Sequence, residues 1–269
     1  MAGPENLRYH AKPGDSTPAR GEFTYALHVN GFAIHVNQVR SSSPVSAIEQ
    51  LRATRNGRRV MSAGEDGANH VEIIFDSAHV EGRTRDKAFQ FDFDHASGPA
   101  LGQDQLRQFS WALAAAPRRF ALGPKGEYHP DNPNQDGHAE AIGVIVDLPI
   151  RLPDGPVHVG DQWSGEWTGT TRKKDGASFQ YRQNAQLEEI IEGPSPRARI
   201  SFSTSGLLQI VPEKNSQGEE TTLDARGFVL LEVATGLVDA GESAGTISTD
   251  ITSLGLKIVH EITATYTSP

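Results

Sequence analysis

Residues 22–39, EFTYALHVNGFAIHVNQV, carry the pattern that decides the fold. Apolar side chains alternate with smaller or polar ones along the first arm, at Phe23, Tyr25, Leu27 and Val29. This period of two is that of a β-strand with one buried face. Asn30-Gly31 follows, and both residue types tolerate the positive φ that a type I′ turn requires. The stretch therefore predicts a β-hairpin.

The turn and the apolar pattern of this hairpin specify the same register. A two-residue turn pairs the apolar residues of the two arms, as Val29 with Phe32, Leu27 with Ile34 and Tyr25 with Val36. A slip by one residue would send the apolar side chains of the second arm to the opposite face. An antiparallel β architecture follows.

A second hairpin is predicted over residues 162–187. Apolar residues of one parity mark its arms, at Trp163, Trp167, Phe179, Tyr181, Ala185 and Leu187. A three-residue loop over 174–176, with Gly176 left-handed, would place Trp163 opposite Leu187 and Gly169 opposite Tyr181. We expect both tryptophans in the core, with their rings covering the bare backbone of Gly165 between them.

Further strands are predicted over 71–75, 87–94, 197–211, 219–234, 243–252 and 255–266. In the last hairpin, the inner face is marked by Leu256, Ile258, Ile262 and Tyr266, and a four-residue loop would set Ile251 opposite Leu256. The helix is predicted over 102–116, where Leu106, Phe109 and Leu113 recur at helical spacing and Pro117 ends the pattern.

These elements predict a mainly β fold: a curved antiparallel half-barrel sheet with one main α-helix at about 102–116. A two-sheet β-sandwich or two duplicated β halves are the alternatives. The expected organisation is an N-terminal β half with the helix over 1–130, a loop-rich connector over 131–146 and a C-terminal β half over 147–269. One continuous domain is the alternative to these divisions.

Composition narrows the function classes. The chain has 269 residues, a formal net charge of −9 at pH 7 and no cysteine. The acidic balance argues against nucleic acid as the main partner. Without cysteine there is no disulfide, thiolate metal site or cysteine nucleophile. The longest apolar stretches, near 142–150 and 228–233, are too short and interrupted to cross a bilayer, so no transmembrane segment is expected.

One local exception to the acidic balance is a basic run. It consists of Arg52, Arg55, Arg58 and Arg59. We interpret it as a solvated loop.

Three stretches of the chain resemble a bacterial family of exported all-β proteins that is catalogued only as a domain of unknown function. They are LRYHAKPGD at 7–15, DLPIRLPDGPVHVGDQW at 147–163 and ATGLVDAGESAG at 234–245. The resemblance covers nearly the whole chain, and LPDGPVHVGDQW is its most specific part. It implies an all-β, envelope-associated protein and supplies no catalytic residues. A half-barrel resembling bacterial lipoprotein carriers is the architecture that we expect.

The resemblance favours a periplasmic or extracellular location. Residues 1–15, MAGPENLRYHAKPGD, lack the charged-then-apolar pattern of a signal peptide. We therefore expect that a leader is absent from this numbering, with the cytoplasm as the alternative.

His28 and His35 form one candidate metal site. They lie on the polar face of the first predicted hairpin, where His28 faces Ala33 and His35 is its diagonal neighbour. A third ligand, such as Asn37 or an aspartate from another strand, would complete the site. Solvated surface histidines are the alternative.

Asn132, Asn134 and Asp136 form another candidate, because oxygen ligands at alternate positions followed by a glycine open a calcium loop. Pro133 interrupts the pattern, and Gly143 stands where the bidentate glutamate belongs. A plain Asn/Asp turn is the alternative.

Other residues point less clearly to chemistry. The parity of His260 places it on an apolar face, as a core histidine rather than a catalytic one. Asp92 and Asp94 share a face of their strand. We interpret them as charges that keep the surface soluble, and a pair of carboxylates for glycoside hydrolysis is the alternative. Trp111 lies opposite the apolar stripe of the predicted helix, and so it either packs under a loop or contacts a ligand.

Two functions follow as hypotheses. The first is a non-enzymatic, envelope-associated binding protein that holds an apolar or amphipathic ligand between sheet and helix, with Trp111 in contact with the ligand. The second is a structural or adhesive module that binds another envelope protein and no small molecule. No cofactor is expected, and an enzyme is less favoured because no nucleophile–base pair or Gly-x-Ser-x-Gly, Walker or dinucleotide motif is found.

Overall fold

The computed structural model describes residues 4–9, 16–30, 48–63, 68–84, 87–94, 118–123, 125–130, 137–170, 178–210, 219–251 and 256–267. Its strands are β1 (Ser16–Asn30), β2 (Ile48–Ala63), β3 (Asn69–Thr84), β4 (Ala88–Asp94), β5 (Arg118–Leu122), β6 (Tyr128–Pro130), β7 (Gln162–Thr170), β8 (Ser178–Ile191), β9 (Arg197–Ile210), β10 (Glu219–Glu232), β11 (Val238–Ile251) and β12 (Leu256–Thr267). The helix α1 spans Gly137–Val146.

The strands form one antiparallel sheet that curves into a nearly closed, barrel-like surface. Its order is β6-β5-β3-β2-β1-β12-β11-β10-β9-β8-β7, and β4 pairs with β3 beside β5. The first and last strands meet in the middle of this order, so one sheet joins the two predicted halves. The right-handed twist of each strand favours curvature, and the bulges in β2–β3, β8–β9 and β10–β11 add to it. The mainly β, curved antiparallel fold class is thereby confirmed.

Helix α1 packs on the inner face of the sheet, against β9, β11 and β12. Small residues on β11 let the helix and the turn after it approach closely, because Ser243 and Gly245 face α1 and Gly241 faces Leu148. A Cβ on Gly245 would lie 2.9 Å from Ile145 Cδ1, and the Ser243 hydroxyl donates a hydrogen bond of 2.6 Å to the Ile145 carbonyl oxygen. The buried C-terminal part of the helix fills the interior beside β11.

The prediction of a loop-rich connector over 131–146 is wrong where α1 lies. Glycine and β-branched residues give GHAEAIGVIV a weak intrinsic helix preference, and packing against the sheet overrides that preference. The helix predicted over 102–116 lies outside the described residues.

The first hairpin is only partly within the described residues. Tyr25 pairs with Leu51 on β2 and with Ile262 on β12, so the predicted pair of Tyr25 with Val36 is wrong. A strand residue has two lateral neighbours, and here two long strands occupy both sides. The remaining predicted pairs involve residues 32–34, which lie outside the described residues.

The second hairpin has the predicted parity and a different register. Trp163 pairs with Ala185 and Gly169 with Phe179, two residues away from the predicted partners. The predicted three-residue loop over 174–176 lies outside the described residues.

The tryptophans occupy the side of β7 that was predicted. Trp167 is buried, and Trp163 is half-buried against the core with its indole N–H donating to the Arg151 carbonyl oxygen at 2.6 Å. The covering of Gly165 was predicted wrongly: the stem of Arg151 lies there, with its Cγ against the position that a Cβ would take. Arginine stems cover apolar surface readily.

The last hairpin is confirmed in detail. Ile251 pairs with Leu256, as the four-residue loop requires. Along β12, His260, Ile262 and Tyr266 are buried, and the residues between them face outward or are half-buried, apart from the buried Ala264. In the described part of the chain, no helix has the length and apolar content needed to cross a membrane.

Candidate functional site

The interior of the sheet contains arginines from the basic run on β2. Leu51, Ala53 and Met61 are buried at odd positions of this strand, and Arg55 and Arg59 share their parity. Arg55 is 0 % exposed and Arg59 is 4 % exposed. The interpretation of the run as a solvated loop is therefore wrong for these two residues, because a strand that alternates about the core carries its odd side chains inward. Arg52 and Arg58 point outward.

Small residues on both sides of β2 make room for Arg55. Its cross-strand neighbours are Gly21 on β1 and Ala78 on β3. A Cβ on Gly21 would stand 3.3 Å from Nη2 and 3.5 Å from Nε of Arg55. The absence of a side chain at residue 21 thus accommodates one edge of the guanidinium.

Aromatic rings surround the Arg55 guanidinium. Its Cζ lies 4.4 Å from the ring centroid of Phe75, 5.5 Å from that of Phe23 and 5.9 Å from that of Tyr266. Among the described residues, Nε and Nη2 have no hydrogen-bond partner. Burial lowers the pKa of Arg55, although the nearby Tyr266 and Asp147 counteract this. Arg55 is therefore a buried cation held by rings, with two N–H groups directed at no oxygen atom of the described residues.

A second group of polar residues lies at the C-terminal end of α1. The Asp147 carboxylate, 2 % exposed, accepts hydrogen bonds from Nε and Nη2 of Arg118 and, at 2.9 Å, from the Tyr128 hydroxyl. Burial would lower the pKa of Arg118, but the Asp147 carboxylate outweighs burial and the pKa is raised. This pair is a fixed, doubly hydrogen-bonded ion pair.

Arg59 links the two groups. Its Nη2 donates to the Asp147 backbone carbonyl at 3.1 Å, while its Nε has no partner. Its Cζ lies 5.2 Å from the Tyr266 ring centroid, so the Tyr266 ring is a neighbour of the guanidinium groups of both Arg55 and Arg59. The helix dipole favours a cation beside the last carbonyl groups of a helix. This effect accounts for the positions of Arg59 and Arg118 but not for that of Arg55.

The backbone turns sharply after this ion pair. Leu148 has a φ of 53°, a left-handed conformation that branched side chains rarely adopt. Its buried side chain packs at Gly241 of β11, where a Cβ would lie 2.8 Å from Leu148 Cδ1. The packing around Leu148 thus holds the turn that keeps Asp147 inside.

The interior carries more positive than negative charge. Among the Arg, Lys, Asp and Glu side chains that the structure describes, the buried ones are Arg55, Arg59 and Asp147. With the 13 %-exposed Arg118 included, three guanidinium groups face one carboxylate, an excess of two positive charges. An isolated buried charge costs several kcal/mol, so this arrangement favours an anion beside it.

His260 is a core histidine, as expected. It is 7 % exposed, and its Nδ1 is 3.0 Å from the Tyr25 hydroxyl oxygen. Burial raises the pKa of Tyr25, so this hydroxyl stays protonated. The pair adds polar atoms to the inner face.

The predicted site residues fall mostly outside the described residues. Trp111, His35, Asn132, Asn134 and Asp136 all lie there. His28 pairs through its backbone with Val259, and its side chain is not among those described. Within the described part of the chain, no group of three or more His, Asp or Glu side chains is arranged to hold a metal ion.

The acidic pair on β4 has the predicted alternation. Phe89, Phe91 and Phe93 are half-buried or buried, and Asp92 and Asp94 are exposed. Asp92 lies 2.7 Å from Nδ1 of His79 on the neighbouring strand. An exposed ion pair of this kind is typical of a solvated sheet surface.

A groove of about 660 Å³ runs over the outer face of β1, β2 and β3 beside β4. Its cations, Arg52 and Arg83, lie within 4.0 Å of glutamates, at 2.7 Å from Glu22 and 3.7 Å from Glu49. Because these charges are already paired, the groove offers less to an ionic ligand than the interior arginines do.

Sequence reasoning missed Arg55 and Arg59 as functional candidates. The alternation that reveals them is present in the sequence. Every second residue from Leu51 to Met61 belongs to one inward-facing series once the arginines are counted as inward. Because four arginines occur within eight residues, we instead interpreted the segment as a loop exposed to solvent. Tyr266 was predicted on the inner face, but its position beside two cations depends on strand order.

Comparisons with known proteins give no family. No family model matches the chain, and no curated protein matches it. One solved structure, described as "Asymmetric conductivity of engineered proteins", aligns at 6% identity over 94% of this chain and 100% of the other, with a TM-score of 0.22. A TM-score this low carries no argument about fold or function, and the family resemblance stays a prediction.

Proposed function

We propose that this protein is a non-enzymatic binding protein that holds an apolar or amphipathic ligand between the inner face of the curved sheet and helix α1. The single observation that carries the proposal is Arg55, which is fully buried among aromatic rings with Nε and Nη2 unpaired. Protein interiors rarely keep a buried charge without an oxygen partner unless it serves a function.

The apolar surroundings of Arg55 support an amphipathic ligand over a purely polar one. Phe23, Phe75 and the buried side chains of Ala53 and Ala78 lie around the guanidinium or beside it on the strands. Small-molecule sites combine such an apolar lining with a few fixed polar groups. This combination suits a molecule with one polar end and one apolar end.

Binding rather than catalysis is supported by the state of Asp147. Its carboxylate accepts hydrogen bonds from Arg118 and Tyr128, so it is committed to holding the interior together. A general base needs a carboxylate that can take a proton from substrate. We further propose an envelope location, periplasmic or extracellular, which rests on the resemblance of residues 7–15 and 147–163 to exported proteins.

Isothermal titration with two series of monomeric ligands tests this function. The first series is octan-1-ol, decan-1-ol and dodecan-1-ol, and the second is the corresponding carboxylates. Burial of each added CH₂ contributes about 0.8 kcal/mol, so affinity should rise about fourfold per methylene in at least one series. Ethanol and acetate are the controls. Affinities that do not change with chain length in either series would rule out an apolar binding site.

A protein-interaction module is the second candidate, and β7 favours it. This strand ends the order of the sheet, and in the described part of the chain no strand pairs with its other edge. An unpaired edge can accept a strand from another protein. In that case β7 would be protected from hydrogen exchange only when a partner protein is added, and chain-length dependence would be missing.

A further inference from the structure

We propose that Arg55 binds the carboxylate head of an acidic amphiphile, a long-chain monocarboxylic acid. This inference rests on the proposed function and specifies its ligand. The carboxylate would lie against the Nε–Nη2 edge of the guanidinium, between Gly21 and Tyr266.

The unpaired atoms of Arg55 are the two that recognise carboxylates. Nε–H and Nη2–H are parallel donors on one edge of the planar group, and they match the two oxygens of a carboxylate. Gly21 lies beside this same edge, as its distances to both nitrogens show. A side chain at residue 21 would narrow the place where the carboxylate is proposed to bind.

Two further donors lie nearby and lack partners. They are the Tyr266 hydroxyl and Nε of Arg59. The Tyr266 ring centroid lies 5.9 Å from Cζ of Arg55 and 5.2 Å from Cζ of Arg59, so the three side chains are neighbours on the inner face. Together with the Arg55 edge they supply four N–H or O–H groups, and a carboxylate has about four acceptor positions.

Cation–π contacts account for only part of the Arg55 environment. The ring centroid of Phe75 lies 4.4 Å from the guanidinium carbon of Arg55. The N–H groups lie in the plane of that group and need acceptors of their own. A bound carboxylate would accept hydrogen bonds from the N–H groups at the edge of the Arg55 guanidinium, while the aromatic rings keep their cation–π contacts with it. It would also offset part of the excess positive charge.

The test measures the Kd values of decanoate, decan-1-ol and decyl phosphate for the wild-type protein and for variants. Arg55→Met removes the charge and keeps the bulk of the side chain, and Arg52→Met is the matched control on the outer face of the same strand. We expect wild type to bind decanoate about tenfold or more tightly than decan-1-ol. Arg55→Met should abolish that preference, so that decanoate and decan-1-ol bind with similar Kd values, and Arg52→Met should keep the preference of the wild type.

Gly21→Ala provides an independent test that leaves Arg55 in place. Its methyl group would lie against Nε and Nη2, so decanoate should bind several-fold more weakly and the preference for decanoate over decan-1-ol should shrink. Circular dichroism of each variant checks its folding before titration.

The outcomes separate the two proposals. Equal binding of decanoate and decan-1-ol, or a preference that survives Arg55→Met and Gly21→Ala, would overturn the carboxylate assignment and leave the proposed function standing. Tighter binding of decyl phosphate than of decanoate would also overturn it. If none of the three ligands binds, both proposals are wrong.

Discussion

Replacing Asp147 by asparagine should destabilise the protein strongly, because it removes the negative charge from the polar centre of the interior. The asparagine keeps one oxygen for Tyr128 or Arg118, but its NH₂ group then faces a donor of Arg118. Arg118, which is 13 % exposed, loses its charged partner, and three guanidinium groups are left without a carboxylate.

The size of the effect follows from the burial of the pair. Breaking a buried ion pair by removing one partner costs about 3–5 kcal/mol, a large part of the roughly 5–15 kcal/mol that stabilises a typical domain. At about 2–4 °C per kcal/mol for chains of this size, the melting temperature should fall by roughly 6–20 °C. Thermal and urea unfolding followed by circular dichroism measure both quantities.

Two variants control this experiment. Asp154→Asn makes the same chemical change at an exposed ion pair with Lys125, and it should leave the melting temperature unchanged within error. Adding Arg118→Met to Asp147→Asn removes the orphaned cation and should recover part of the lost stability. A melting temperature for Asp147→Asn equal to that of Asp154→Asn would refute the interpretation of the ion pair as a buried structural contact.

Three further predictions concern packing and pH. Gly245→Ala should cost about 1–3 kcal/mol, because its Cβ would lie 2.9 Å from Ile145 Cδ1, whereas Gly193→Ala, with nothing within 4 Å, should cost little; equal urea midpoints would contradict this. Trp167→Ala should cost about 3–5 kcal/mol by chemical denaturation, as expected for a buried indole, and a cost below about 1 kcal/mol would argue against its core position. Burial raises the pKa of Tyr9 from 10.0 to about 12, so the native state holds this proton more tightly, and stability should fall by about 2 kcal/mol between pH 10 and pH 12. Tyr9→Phe should flatten that decline in urea titrations at several pH values, and an unchanged slope would contradict the assignment.

The parts of the fold that the sequence predicted are those set by local alternation. The pairing of Ile251 with Leu256 follows from a short loop and two alternating arms, and both signals lie within about sixteen residues. The inward positions of Tyr266 and His260 followed from the same parity. Local patterns of this kind determine faces well, because a one-residue error exposes the whole apolar set.

The registers of β1 and β7 depended on contacts that alternation does not specify. The apolar pattern around Tyr25 is satisfied equally by any alternating neighbour, and the structure gives it Leu51 and Ile262. On β7, a shift of two residues preserves every face, so the parity of Trp163 was right while its partner was wrong. Parity alone cannot distinguish registers that differ by two.

Helix α1 and the arginine cluster were missed for a shared reason. Both depend on the interior of the closed sheet, which no short segment of sequence reveals. Residues 137–146 become helical against the small residues of β11, and Arg55 becomes buried because β2 runs through the middle of the sheet with Gly21 beside it. Composition alone favoured a loop for the helical residues and a solvated surface for the arginines.

The central claim is that Arg55 is buried to bind a ligand and not to stabilise the fold. Desolvation of an unpaired guanidinium costs several kcal/mol, whereas cation–π contacts return about 2 kcal/mol. The measurement that tests the claim most directly is the unfolding free energy of the delipidated Arg55→Met variant beside that of the delipidated wild type. We predict that the variant is at least as stable, by up to about 1–4 kcal/mol. A loss of about 3 kcal/mol or more would contradict the claim, since it would show that the fold itself requires the buried charge.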